Sequence, residues 1–153
     1  MRLHFVWPGK TKNRHLLALQ VDYYERLSHF ARCQITELRE GGGKRSGAGI
    51  DAASKRISDA LSNEDFSVLL DVKGSHISSD ELAQQVEGWE SRGTRAVAFI
   101  VGGPDGVSEV IRSEVGLCWS LSPLTLTHEM ARVLLLEQLY RAYAIIHRLP
   151  YAK

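Results

Sequence analysis

The feature that most constrains this chain is a regular alternation of short apolar runs with longer segments patterned for amphipathic helices. Residues 95–101, Arg-Ala-Val-Ala-Phe-Ile-Val, are the most strand-like, and residues 66–70 form a second continuous apolar run. Both are what strands covered on two faces require. Residues 3–7, 33–38 and 117–121 read as three further strands. Between them lie helical patterns. Residues 13–30 put Leu16, Leu17, Leu19, Tyr23, Tyr24 and Leu27 on an apolar side, and a helix of about a dozen residues ends at Leu61. Ser78 and Glu81 stand at capping-box spacing, opening a helix through Trp89 that stops at Gly93. A short helix over 107–115 and a long one from about His128 to Arg148 complete the set, and Lys73-Gly74 reads as a turn. Such alternation makes a parallel sheet wrapped by helices, an α/β fold. At 153 residues, with no repeat and no convincing linker, the chain reads as one domain over 1–153.

Composition narrows the class. Hydrophobic residues at 44% and charged residues at 24% exclude a disordered or collagen-like chain. The longest apolar stretches, 96–101 and 133–136, fall far short of the roughly 20 residues that span a bilayer. The first eight residues lack the apolar core and cleavage site of a signal peptide. Cys33 and Cys118 form no CxxC, as expected of reduced thiols in a cytosolic protein. His4, His15, His29, His76, His128 and His147 show no metal-ligand spacing. The expectation is a soluble, cytoplasmic protein with neither a membrane nor a metal as partner. Charge is uneven: the first 60 residues carry 11 Lys/Arg against 6 Asp/Glu, and residues 61–153 carry 8 against 12. A basic half on a nearly neutral chain fits either a polyanion partner or ordinary surface variation.

In sheets of this type, ligands bind at the carboxyl ends of strands. That singles out three places: Leu70-Asp71 and the turn after it, the 102–106 loop, and the apolar stretch Leu121-Ser122-Pro123-Leu124-Thr125-Leu126. The glycines of the 102–106 loop let a ligand approach the backbone. Yet the loop is not the GxGxxG fingerprint, because Pro104 removes a donor, and a plain tight turn explains it equally well. An apolar connection such as 121–126 is either buried or lines a pocket; leucines with spare backbone groups suit an adenine ring. On the long helix, Arg132 and His128 share one side, four residues apart. Either Arg132 is structurally paired or both aim into an interface pocket. The wide apolar circumference of that helix points to a second subunit. The loop carrying Lys44 and Arg45 is a candidate phosphate clamp or simply solvated chain.

Three segments together resemble the RlmH family, SPOUT-class methyltransferases that modify pseudouridine in large-subunit ribosomal RNA. They are Phe99-Ile-Val-Gly-Gly-Pro-Asp-Gly-Val-Ser108, Trp119-Ser-Leu-Ser-Pro-Leu-Thr-Leu126 and His128-Glu-Met-Ala-Arg-Val-Leu-Leu-Leu-Glu-Gln-Leu-Tyr-Arg-Ala-Tyr143, followed by Pro150-Tyr151. The resemblance implies a parallel-sheet SPOUT fold with a C-terminal trefoil knot, a homodimer, and S-adenosylmethionine bound in the knot. It further implies methyl transfer to N3 of a pseudouridine in helix 69 of ribosomal RNA, in the assembled 70S ribosome. Cofactor contacts would fall on Leu70, Gly103, Leu121, Ser122, Pro123, Leu124, Thr125 and Leu126. One departure stands out: the family usually ends in Pro-Tyr-His and a basic residue, whereas here Tyr151 is followed by Ala152 and Lys153.

Methylating an imide nitrogen requires an aligned methyl donor and removal of the N3 proton. Arg132 is the candidate for stabilising charge or holding a phosphate, His128 for proton transfer or orientation, and Tyr151 for stacking on or hydrogen-bonding the base. Two rival functions fit the residues as well: a flavodoxin-like nucleotide-binding domain and a non-enzymatic ribosome-binding protein.

Overall fold

The computed structural model describes residues 1–40 and 47–151, with backbone only for 47–50. The Lys44-Arg45 clamp and the Ala152-Lys153 ending lie outside the described residues. In chain order the elements are β1 (Arg2–Pro8), α1 (Arg14–Ser28), β2 (Arg32–Leu38), α2 (Gly47–Leu61), β3 (Phe66–His76), α3 (Ser79–Ser91), β4 (Ala96–Val101), α4 (Glu109–Glu114), β5 (Leu117–Ser120) and α5 (His128–Ile146). Among the described residues the strands form one five-stranded sheet in the order β2-β1-β4-β3-β5, parallel at every pairing. The expected α/β architecture is the one adopted.

Side-chain alternation along the strands divides the core between two faces. Val97, Phe99 and Val101 of β4 join Phe5, Trp7 and Val68 in a cluster with Leu27 of α1, Leu82, Val86 and Trp89 of α3, and Leu135, Leu136 and Leu139 of α5. Ile100 and Leu69 point the other way, onto Ile57 of α2 and Ile111 of α4. Both faces of β4 are therefore covered, which is why every residue of it is buried and its sequence shows no polar alternation. α5 packs between α1 and α3 and also touches β4. Much of its apolar circumference is thus buried within the chain, so that feature alone does not call for a second subunit.

The helix starts follow local chemistry. The Asn13 side chain accepts from the His15 and Leu16 amides, Ser78 and Glu81 form the expected reciprocal capping box, and Thr127 accepts from the Met130 amide. The Lys73-Gly74 turn needs correcting. β3 does not end at Leu70: it leaves the ladder there and rejoins it at Ser75, both residues pairing with Trp119 of β5. Asp71 to Gly74 form an excursion from a strand that then continues to His76. At Gly74 the excursion passes so close to β5 that a Cβ would lie 2.6 Å from the Cys118 carbonyl carbon. Only glycine fits that approach.

Candidate functional site

The β3 excursion, the carboxyl ends of β4 and β5 and the starts of α1 and α5 converge on one cleft of about 770 Å³. Leu70 and Asp71 enter from β3 and its excursion, Gly102 and Gly103 from the end of β4, and Leu121, Ser122, Leu124, Thr125 and Leu126 from the connection to α5. His128 stands at the first turn of α5, and Asn13 and Leu16 close the cleft from the start of α1. The three places singled out by the parallel-strand argument are brought together, and of the expected cofactor contacts only Pro123 does not line the cleft.

Each wall has a local reason for its shape. The Gly106 amide donates to the Gly103 carbonyl at 3.0 Å, and Gly106 has φ of 74°, so the 102–106 loop is a tight turn as well as a cleft wall. A Cβ on Gly103 would lie 3.1 Å from Cγ of Pro8. In the 121–126 stretch the Ser120 hydroxyl donates to the Ser122 carbonyl at 2.9 Å, and the Leu124 amide donates to the Ser122 hydroxyl at 3.0 Å. These short-range bonds hold the stretch while its side chains stay available. Leu124 lines the cleft and is 72% exposed.

The three candidate catalytic residues occupy three different settings. His128 lines the cleft, half-buried, and burial followed by the nearby Arg132 charge holds its imidazole below the usual histidine range. It is therefore predominantly neutral at neutral pH, with a lone pair able to accept a proton. Arg132 lies behind that wall with no exposed surface. Its Nη1 donates to the Thr11 hydroxyl at 3.0 Å, its Nη2 donates to the Pro8 carbonyl at 2.6 Å, and its guanidinium sits 5.0 Å from the Trp7 ring centre. Burial lowers its pKa, opposed by Glu129, Glu37 and Glu40. Among the described residues no carboxylate forms a salt bridge with it, and its Nε has no acceptor. The neighbouring Glu129 accepts from the Lys12 and Asn13 amides, so the first turn of α5 clasps the segment leading into α1. These amides pull the Glu129 carboxylate below its ordinary range.

Tyr151 is elsewhere. Its hydroxyl donates to Glu137 at 3.0 Å and lies 3.0 Å from the Tyr23 hydroxyl, while its ring packs edge-on against Tyr140. Burial, with these hydrogen bonds, raises its pKa, so the phenol stays protonated. The structure does not bring Tyr151 together with His128 in one chain.

The sequence reading missed a charged pair in the cleft. Arg112 of α4 donates from Nη2 to Asp71 Oδ2 at 2.6 Å, and both side chains line the cleft. Asn13 and Leu16 were also missed, because only the β1–β4 pairing carries the start of α1 to this end of the sheet. A larger basin of about 1140 Å³ lies at the amino ends of β1, β2 and β4, but its charges answer one another. There Arg2 meets Glu64 at 2.7 Å and Arg95 meets Asp65 at 2.9 Å. Among the described residues no three His, Cys, Asp or Glu side chains could hold a metal, and no helix is long and apolar enough to cross a membrane.

Comparison with known proteins agrees with the fold. A family model described as "Predicted SPOUT methyltransferase" matches residues 1–152. The chain is 36% identical to a protein of Geobacter sp. (strain M21), covering 99% of this chain and 98% of that one, and 37% identical to one of Desulfotalea psychrophila, covering 90% of each. Both relatives are named ribosomal RNA large subunit methyltransferase H. Among solved structures, a probable methylase family protein from Haemophilus influenzae Rd KW20 superposes with a TM-score of 0.61 at 11% identity, covering 99% of this chain and 70% of that one. A probable methyltransferase from Bordetella pertussis Tohama I gives 0.58 at 10% identity, covering 92% and 95%. At such identities the structural likeness speaks to the fold alone.

Proposed function

Because this chain belongs to the SPOUT methyltransferase family, we propose that it binds S-adenosylmethionine in the strand-end cleft and methylates large-subunit ribosomal RNA at N3 of a pseudouridine in helix 69. The observation that carries the reading is the convergence of Leu70, Gly103 and the 121–126 stretch on one cleft. The residues present fit such a cofactor. Leu70, Leu121 and Leu126 offer apolar faces for an adenine, and the glycine turn keeps side chains out of its path. When bound, S-adenosylmethionine supplies an electrophilic sulfonium methyl.

The chain's own groups supply position and proton handling. His128, kept neutral, accepts the N3 proton or orients the imide. Arg132 acts as a positioning residue: it braces Pro8 and Thr11 behind the wall, and its charge helps to hold His128 unprotonated. Tyr151 lies off the cleft, so its contact with a base requires a second copy of the chain, and the homodimer is part of the proposal. Val72 and Leu124, both exposed and both lining the cleft, provide apolar surface for that copy. The trefoil threading of the C-terminal segment, the 70S ribosome as substrate and a cytoplasmic location belong to the same proposal. The flavodoxin-like alternative loses support, since Pro104 lacks an N–H and the Gly106 N–H is already donated to the Gly103 carbonyl within the turn.

The test is methyl transfer from labelled S-adenosylmethionine to purified ribosomes lacking the modification, with the product mapped by mass spectrometry of RNA fragments. Label in the helix 69 pseudouridine is expected. Label elsewhere would correct the target, and none in any ribosomal RNA would favour the non-enzymatic ribosome-binding alternative.

A further inference from the structure

The Asp71–Arg112 pair has no part in the reading above, yet it is the charged pair of opposite signs inside the cleft among the described residues. Asp71 sits on the β3 excursion immediately after Leu70, and Arg112 lies on α4 beyond the glycine turn. Their side chains keep 11% and 25% exposure, so both are largely withdrawn from water without being sealed off. The pairing is single-pronged. Asp71 receives Nη2 on Oδ2 and the Lys73 amide on Oδ1 at 2.9 Å. Arg112 Nε is buried and has no acceptor among the described residues, Glu109 standing 3.7 Å away and almost fully exposed.

A buried donor without an acceptor is costly, and a guanidinium fork is suited to a carboxylate. A carboxylate beside it is in turn suited to an ammonium. A cation and an anion side by side in a cleft that also offers the apolar Leu70, Leu121 and Leu126 complement a zwitterion. We infer that Asp71 and Arg112 recognise the α-amino-acid end of the cofactor, Arg112 taking its carboxylate and Asp71 its ammonium. The inference rests on the cofactor reading above and goes further by assigning the polar end of the ligand. The apolar wall holds the nucleoside, and this pair sets the preference for ligands that carry the amino acid.

Calorimetric titration with two probes separates the possibilities. S-adenosylhomocysteine carries the amino acid, and 5′-methylthioadenosine lacks it. Arg112→Met should weaken S-adenosylhomocysteine by about tenfold or more while 5′-methylthioadenosine stays within about twofold. Asp71→Asn should show the same split, and decarboxylated S-adenosylmethionine should respond to Asp71→Asn but not to Arg112→Met. Arg112→Lys keeps the cation but loses the fork, and gives a smaller split should the methionine variant not fold. Equal weakening of both probes would mean that the pair merely braces α4 against β3, and unchanged affinity for both would mean that it is spectator surface; either overturns the inference. Wild-type protein binding neither probe would overturn the cofactor reading itself, an outcome distinct from both.

Discussion

His128 and Arg132 show how one helical turn divides labour between a cleft and its support. Burial, and after it the Arg132 charge, depress the His128 pKa below its ordinary 6.5. Between that depressed value and 6.5 the unfolded chain binds more protons at this position than the folded chain does. Stability therefore falls as pH drops through that window. His128→Asn should flatten the urea-unfolding profile just below pH 6.5, whereas an unchanged slope there would place the titration elsewhere. Arg132 calls for a different measurement. Its contacts with Thr11 and Pro8 make it a buried strut, so Arg132→Lys should lower stability by about 1–3 kcal/mol, with the Pro8 carbonyl left poorly satisfied. The urea midpoint reads this directly, and an unaltered midpoint would show that lysine replaces the fork. The sequence placed His128 and Arg132 on one side of a helix, correctly as spacing. What it lacked was depth: which of two side chains reaches a cleft and which lies behind it depends on Trp7 and Thr11, more than 100 residues away along the chain.

At the scale of elements, the periodic signals were strong enough to find all ten helices and strands given for the described residues. The apolar runs of β4 and β3 and the Ser78 capping box are local features that survive in the fold. The β3 excursion was misread as a terminal turn because its meaning is not local. Whether a strand resumes after Gly74 is decided by the partner it meets, and that partner, β5, comes more than 40 residues later. The same excursion carries Asp71 and Val72 into the cleft, where Asp71 meets Arg112, a partner 41 residues further on that no local pattern in the sequence announces. Gly74→Ala tests the excursion. A methyl group 2.6 Å from the Cys118 backbone forces β3 and β5 apart, at a cost of about 1–3 kcal/mol. Lower thermal stability together with weaker ligand binding is expected, while a fully stable variant would show that the two strands can separate freely.

For the whole molecule, the sheet supplies the frame and the segments that follow or interrupt its strands supply the walls of the cleft. The β3 excursion, two strand ends and two helix starts, drawn from both halves of the sequence, meet in one cleft, and the chain belongs to the SPOUT methyltransferase family. If a second copy completes the substrate site by bringing in Tyr151, light scattering at micromolar concentration should give twice 17.1 kDa. A stable monomer would remove Tyr151 from the proposed chemistry and leave the cofactor cleft as it stands. Whether that cleft holds the cofactor is decided by calorimetric titration of wild-type and Gly103→Val protein with S-adenosylmethionine. A branched side chain at Gly103 would press on Pro8 and narrow the space beside the glycine turn. Saturable binding by the wild type, weakened by about tenfold or more in the variant at unchanged melting temperature, is the predicted result. Equal affinity in the two proteins, or no binding by the wild type, would contradict it.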